Sequence, residues 1–151
     1  MAAPPLVPIV VGRGAASGDW DDGSHTGVKQ ICLEFDDAGI NFFQAFYIDI
    51  DQTKEGSKNG TQGVTELVMI PLDFPGEYIT NVSGYIIPGQ PTTVRSLTFK
   101  TNRTPYGPYG GRTLNQDIPF EIPIDGRFRI VGFRGAFSGN ILNAFGVNIS
   151  Q

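Results

Sequence analysis

Tryptophan, histidine and cysteine occur once each in these 151 residues, as Trp20, His25 and Cys32. Each scarcity removes a class of chemistry. A lone thiol closes no intramolecular disulfide and builds no cysteine-based metal cluster. Cys32 stands between Ile31 and Leu33, so it reads as a buried strand thiol. The lone imidazole sits in a Ser/Thr/Gly turn with no nucleophile close by, which predicts an exposed polar residue in place of a catalytic base. Basic residues are also few. Eleven Lys and Arg face 15 Asp and Glu, for a net charge of −4 and a pI near 4.8. That balance argues against nucleic acid and anionic membrane as partners, because both need clustered cations. No apolar run is long enough to cross a bilayer, so no membrane insertion is expected.

The start of the chain lacks the marks of an export signal. It has no basic n-region, its prolines fall at 4, 5 and 8, and its unbroken apolar run is only Ile9 to Val11. The expectation is a cytoplasmic protein, or one with a cytoplasmic and nuclear pool. Asn59, Asn81, Asn102 and Asn148 open glycosylation sequons. Without an export signal these read as chance products of a chain rich in Asn, Ser and Thr.

What is present favours strands. Twenty glycines and 11 prolines are spread along the whole length, and each costs about 1 or about 3 kcal/mol in a helix interior. The one long stretch free of both, Ile40 to Glu55, alternates: Ile40, Phe42, Phe46, Ile48 and Ile50 occupy even positions, with Gln44 the break. Period two with aromatic and β-branched enrichment predicts a strand there. Further strands are expected at Val28–Phe35, Thr65–Ile70, Tyr78–Gly84, Val94–Thr101, Arg127–Arg134 and Ile141–Ile149, and a loop or edge hairpin at Asp51–Gly63. Such spacing describes an all-β sandwich, barrel or prism in one domain. No short-period repeat or domain boundary is visible.

Several segments together carry a resemblance. They are Gly12–Gly23 (GRGAASGDWDDG), Phe74–Gly84 (FPGEYITNVSG), Val94–Asn102 (VRSLTFKTN), Tyr106–Gly110 (YGPYG), Ile130–Gly135 (IVGFRG) and Ser138–Val147 (SGNILNAFGV). In this order, and over nearly the whole chain, they are similar to the jacalin-related lectins. The resemblance implies the β-prism I fold, three four-stranded Greek-key sheets about a pseudo-threefold axis, with a shallow sugar site at one end. It also implies two branches. Galactose-preferring members are exported and cut near the N-terminus, whereas mannose- and glucose-preferring members stay uncut and cytoplasmic; the second branch is expected here.

The family's last loop carries a Gly-x-x-x-Asp signature, which matches Gly139, Asn140, Ile141, Leu142 and Asn143. A glycine turn lets successive backbone N–H groups, those of Asn140 and Ile141, converge on one shallow cup. A side-chain oxygen at its end then accepts from sugar hydroxyls. The first loop is expected to add a backbone N–H from Ser17 or Gly18. Asn143 replaces the family's Asp, and an amide offers one oxygen and one NH₂ where a carboxylate is acceptor-only. The expected penalty is roughly 1 kcal/mol, and Asn143→Asp is expected to tighten sugar binding. The loop holding Ile86, Ile87 and Pro88 lies where relatives tune specificity. A second site near the second strand is not expected, since Asp36 to Asn41 does not fit the signature.

Other constellations carry less. Asp19, Asp21 and Asp22 lack the oxygens an EF-type calcium loop needs further on. The adjacent pairs Asp21–Asp22 and Asp36–Asp37 point to opposite faces of a strand. Trp20, Tyr106, Pro108 and Tyr109 read as packing residues. No metal, cofactor or catalysis is expected. The partners implied are mannose- or glucose-type glycans, bound by a homodimer or homotetramer that offsets weak single sites by multivalency. The rival expectation is a prism that serves as a protein-interaction module with weak or lost sugar binding.

Overall fold

The structure, a computed structural model, describes residues 6–14 and 18–151. Every regular element among them is a strand. In chain order these are β1 (Val7–Gly12), β2 (Asp19–Asp21), β3 (Gly27–Asp36), β4 (Gly39–Asp49), β5 (Gln52–Glu55), β6 (Asn59–Gly60), β7 (Val68–Pro71), β8 (Ile79–Ile87), β9 (Thr93–Thr101), β10 (Pro105–Gly110), β11 (Ile118–Pro123), β12 (Arg129–Ser138) and β13 (Ile141–Ser150).

They form three antiparallel sheets with one topology. The orders are β5-β4-β3-β7, β10-β9-β8-β11 and β1-β13-β12-β2. In the first, the outer position beside β4 is shared by two short segments, β5 on Phe46–Asp49 and β6 on Phe42–Phe43. Each sheet has a central hairpin, a third strand on one side, and a fourth that returns to the other edge, which is a Greek key. The third sheet is split by the chain ends. β1 pairs with β13 from Val7↔Ile149 to Gly12↔Ala144, so both ends of the chain close one sheet. This is the expected β-prism I arrangement.

Aromatic rings fill the axis where the sheets meet. Phe43 comes from the first sheet, Phe99 from the second, and Phe133 and Phe145 from the third. All four are fully buried. Phe43 meets Phe145 at 5.0 Å and Phe133 at 5.2 Å edge-on, and Phe99 meets the same two at 6.1 and 6.4 Å. Edge-to-face contacts of this kind add about 0.5–1.5 kcal/mol each beyond area burial. Trp20 packs on Phe43 and Phe137, Tyr106 and Tyr109 lean on the core, and Cys32 is buried, as the sequence implied.

Two local expectations need correction. The Ile40–Glu55 stretch is not a single strand. It folds back at Ile50 and Asp51, so Asp49 pairs with Gln52, and Ile50 takes a left-handed φ of 59°. Both faces of the first half are buried, Asn41 and Gln44 included, because flanking segments cover the side that alternation assigns to solvent. His25 is not an exposed polar residue either. Its ring stacks on Tyr47 at 4.1 Å, its Nδ1 lies 2.8 Å from Asp49 Oδ2 and its Nε2 lies 2.9 Å from the Asp22 carbonyl. Tyr47 in turn donates to Asp22 Oδ2 at 2.6 Å and accepts the Phe133 N–H at 3.0 Å, tying the first sheet to the third.

The acidic residues near the start have structural partners. Asp21 accepts from Asn148 and pairs with Arg134 at 3.2 Å, while Asp22 faces Tyr47 and Ser57. The sequon asparagines are likewise engaged. Asn59 donates to the carbonyls of Phe43 and Ser57, Asn81 to Glu121, Asn102 to the Gly76 carbonyl, and Asn148 to Asp21 and the Gly23 carbonyl.

Candidate functional site

The turns β3–β4, β8–β9 and β12–β13 lie at one end of the prism, together with the β1–β2 connection. The β12–β13 turn is the tightest. Ser138 pairs with Ile141, leaving Gly139 and Asn140 as a two-residue loop, and Gly139 has φ 60°. Glycine at the first central position is what a tight hairpin turn of this kind requires. A Cβ at Gly139 would meet nothing within 4 Å, so the glycine serves the turn's conformation and leaves its outer side open. Ser138, Gly139 and Asn140 are exposed, Ile141 is half-buried and Leu142 is fully buried. Leu142 therefore belongs to the core and can offer a ligand only backbone.

The first loop packs against this turn at Gly18. Its carbonyl accepts the Phe137 N–H at 3.1 Å, its φ is +90°, and a Cβ there would fall 2.0 Å from the Phe137 carbonyl oxygen. Only glycine permits that approach. Gly18 thus lies against Phe137, the strand partner of Leu142 in the Gly139–Asn143 segment. Ser17, with Ala15 and Ala16, lies outside the described residues.

Asn143 departs from the expected picture. Its side chain turns inward and the residue is only 2% exposed. Oδ1 accepts from the Ser138 hydroxyl at 2.6 Å, and Nδ2 donates to the Thr92 carbonyl at 3.1 Å. The amide is therefore not an open acceptor, although Oδ1 retains a second lone pair. The reason is Thr92, which sequence reasoning passed over. Its hydroxyl accepts the Arg13 N–H at 2.6 Å and donates to the Asn143 carbonyl at 2.9 Å, while its own N–H donates to the Arg13 carbonyl at 3.1 Å. One threonine thus joins the first loop, the β8–β9 loop and the Gly139–Asn143 segment. A polar residue in a turn-rich stretch gives no sequence signal for such a role.

A second unforeseen contact comes from the first sheet. Asn41, fully buried, donates Nδ2 to the Asn140 carbonyl at 3.1 Å. This fixes the turn's carbonyl on the inner side, and the Asn140 N–H has no partner among the described residues. The equivalent β3–β4 turn is closed by contrast. Asp36 Oδ1 accepts from the N–H groups of Ala38 and Gly39, and the Asp37 carbonyl accepts from Arg95.

Beside Thr92 runs a shallow groove of about 400 Å³, lined by Gly12, Arg13, Ile86, Pro88, Gln90 and Ile118 among others. Of the three expected specificity residues, Pro88 is exposed at its rim, Ile86 backs it from the core and Ile87 is half-buried.

Three Greek keys closed into a prism, with a glycine turn and the first loop meeting at one end, define a β-prism I domain. Residues 11–148 match the Jacalin-like lectin domain, and the chain belongs to that family. Among curated proteins it is 38% identical over 136 residues to Jacalin-related lectin 19 of Arabidopsis thaliana, covering 87% of this chain and 73% of that one. It is 43% identical over 122 residues to a galactose-specific lectin of Morus indica, covering 78% and 74%. Among solved structures, a mannose-specific jacalin-related lectin from Morus nigra in complex with mannose superposes with a TM-score of 0.84 at 36% identity, over 100% of this chain and 97% of that one.

Proposed function

We propose that this chain is a non-catalytic lectin that binds mannose- and glucose-containing glycans through one shallow site, built from Gly18 and Gly139–Asn143. The observation that carries the reading is the Gly139–Asn140 turn. It is exposed, its backbone is set by the Gly139 turn, and its Asn140 N–H has no partner among the described residues. A hexose hydroxyl is donor and acceptor at once. It can accept from that N–H and donate to Asn143 Oδ1, taking the place of the Ser138 hydroxyl. The mannose-bound neighbour of the same fold supports the sugar class. The site makes and breaks no covalent bond.

Exposed monosaccharide sites of this kind bind in the millimolar range, about −4 kcal/mol. Avidity then rests on several sites in a homodimer or homotetramer. The test is a glycan array followed by calorimetry with methyl α-mannoside and methyl α-galactoside. Mannoside binding stronger than galactoside is expected. The reverse order would move the specificity toward the galactose-specific relative and leave the lectin standing. The inward-turned Asn143 favours a second reading, a prism working as a protein-interaction module. Silence across mannose, glucose and galactose glycans would select it.

A further inference from the structure

The opposite end of the prism, where β3, β8 and β12 begin, encloses a cavity of about 210 Å³. Its walls are chiefly apolar: Val28, Leu72, Phe74, Ile79 and Ile130. Gly27 makes room for the Phe74 ring, which lies where a Cβ on residue 27 would fall, 2.1 Å from Cε2. One cation lines the same space. The Arg129 guanidinium lies flat on the Tyr78 ring, 3.6 Å from its centroid. Its Nη1 is held by the carbonyls of Gly126 and Phe128 at 3.0 and 2.9 Å. Nε and Nη2 have no partner among the described residues, and neither is sealed from solvent. That edge is the one a carboxylate engages with two parallel hydrogen bonds. Glu77, also in the wall, does not compete for it. Its Oε1 accepts the Asp73 N–H, and its Oε2 accepts the hydroxyls of Thr101 and Tyr106.

From this geometry we infer a second binding site, independent of the sugar end, for a small planar apolar acid: a fused-ring or substituted aromatic carboxylate. Size argues for more than one ring, because a cavity of about 150 Å³ already accepts benzene. The apolar walls take the ring system, and the stacked guanidinium takes the carboxylate.

The probe is 1-naphthoate, titrated into the intact chain by calorimetry, with uncharged 1-naphthalenemethanol as its partner. Saturable binding of one naphthoate per chain is expected, about tenfold tighter than the alcohol and indifferent to saturating methyl α-mannoside. In Arg129→Gln that tenfold preference disappears. Methyl resonances of Val28, Leu72, Ile79 and Ile130 in the unmutated protein move on titration, a readout that does not depend on how the variant folds. The inference is overturned by any of four results: no saturable binding, displacement by the mannoside, a carboxylate preference that survives in Arg129→Gln, or shifts confined to other methyls.

Discussion

Asn143 donates its side-chain N–H to the carbonyl of Thr92 across 3.1 Å, and that contact changes what a carboxylate at position 143 would do. Asp has no N–H to give. In Asn143→Asp one oxygen keeps the Ser138 hydroxyl and the other faces the Thr92 carbonyl oxygen without a proton between them. An unmatched buried acceptor costs about 1–3 kcal/mol, which for a domain of this size lowers Tm by several degrees. The same charge strengthens acceptance from sugar hydroxyls. The expected outcome is a lower Tm by calorimetric scan together with several-fold tighter methyl α-mannoside binding in the folded protein. An unchanged Tm would show that the Thr92 contact is not a latch.

Asn41 tests the support beneath the turn. Its Nδ2 holds the Asn140 carbonyl, while its own Oδ1 is buried without a hydrogen-bond partner among the described residues. Asn41→Leu keeps the volume, removes the orphan oxygen and frees the carbonyl. Stability is expected to stay within about 1 kcal/mol, since a lost hydrogen bond and a relieved acceptor roughly offset. Sugar affinity is expected to fall several-fold as the Gly139–Asn140 turn gains freedom. Equal affinity with equal stability would mean that the turn holds its own shape.

Ile50 is a β-branched residue in the left-handed region, φ 59°, and it is 84% exposed. Strain there has no packing to offset it. Ile50→Asn is expected to stabilise the protein by about 1 kcal/mol and raise Tm by about 2–4 °C. A thermal scan showing no gain would mean that the turn relaxes around isoleucine at little cost.

The architecture was legible because turn residues recur between short alternating runs, and because Gly12–Gly23 and Ser138–Val147 carry local signatures. The threefold repetition followed from the family resemblance and not from any repeat visible in the residues. The three Greek keys share hydrogen-bond topology, which many side-chain patterns satisfy, and one of them is assembled from both ends of the chain. At the site, Gly18 and Gly139 were readable because glycine answers to backbone geometry. Thr92 and Asn41 were not, since each acts through hydrogen bonds to strands remote in sequence. The Asn143 side chain points inward where an outward acceptor was expected, because its direction follows from the Thr92 carbonyl and the Ser138 hydroxyl, which the motif does not encode.

Asp117 gives the fold a defined acid sensitivity. Its side chain is fully buried, 3.0 Å from Arg95 Nε, and it also accepts the Leu114 N–H at 2.9 Å. Burial alone would raise its pKa. The hydrogen bonds from Arg95 and Leu114, together with the Arg95 charge, outweigh that and hold it below the ordinary aspartate value of 3.8. Asp49, held low chiefly by its hydrogen bond to His25, shifts the same way. A group depressed in the folded state stabilises at every pH above its unfolded value, and that contribution drains away as pH falls through the folded one. Urea midpoints should therefore hold steady down to about pH 5 and then decline below about pH 4. Asp117→Asn removes the carboxylate and leaves the Arg95 charge without a counter-charge, so it should cost about 3 kcal/mol at neutral pH. Its deficit against the unmutated protein should narrow as the medium is acidified below 3.8. A deficit that stays constant down to pH 2 would show that the charge of Asp117 contributes nothing and that only its shape matters.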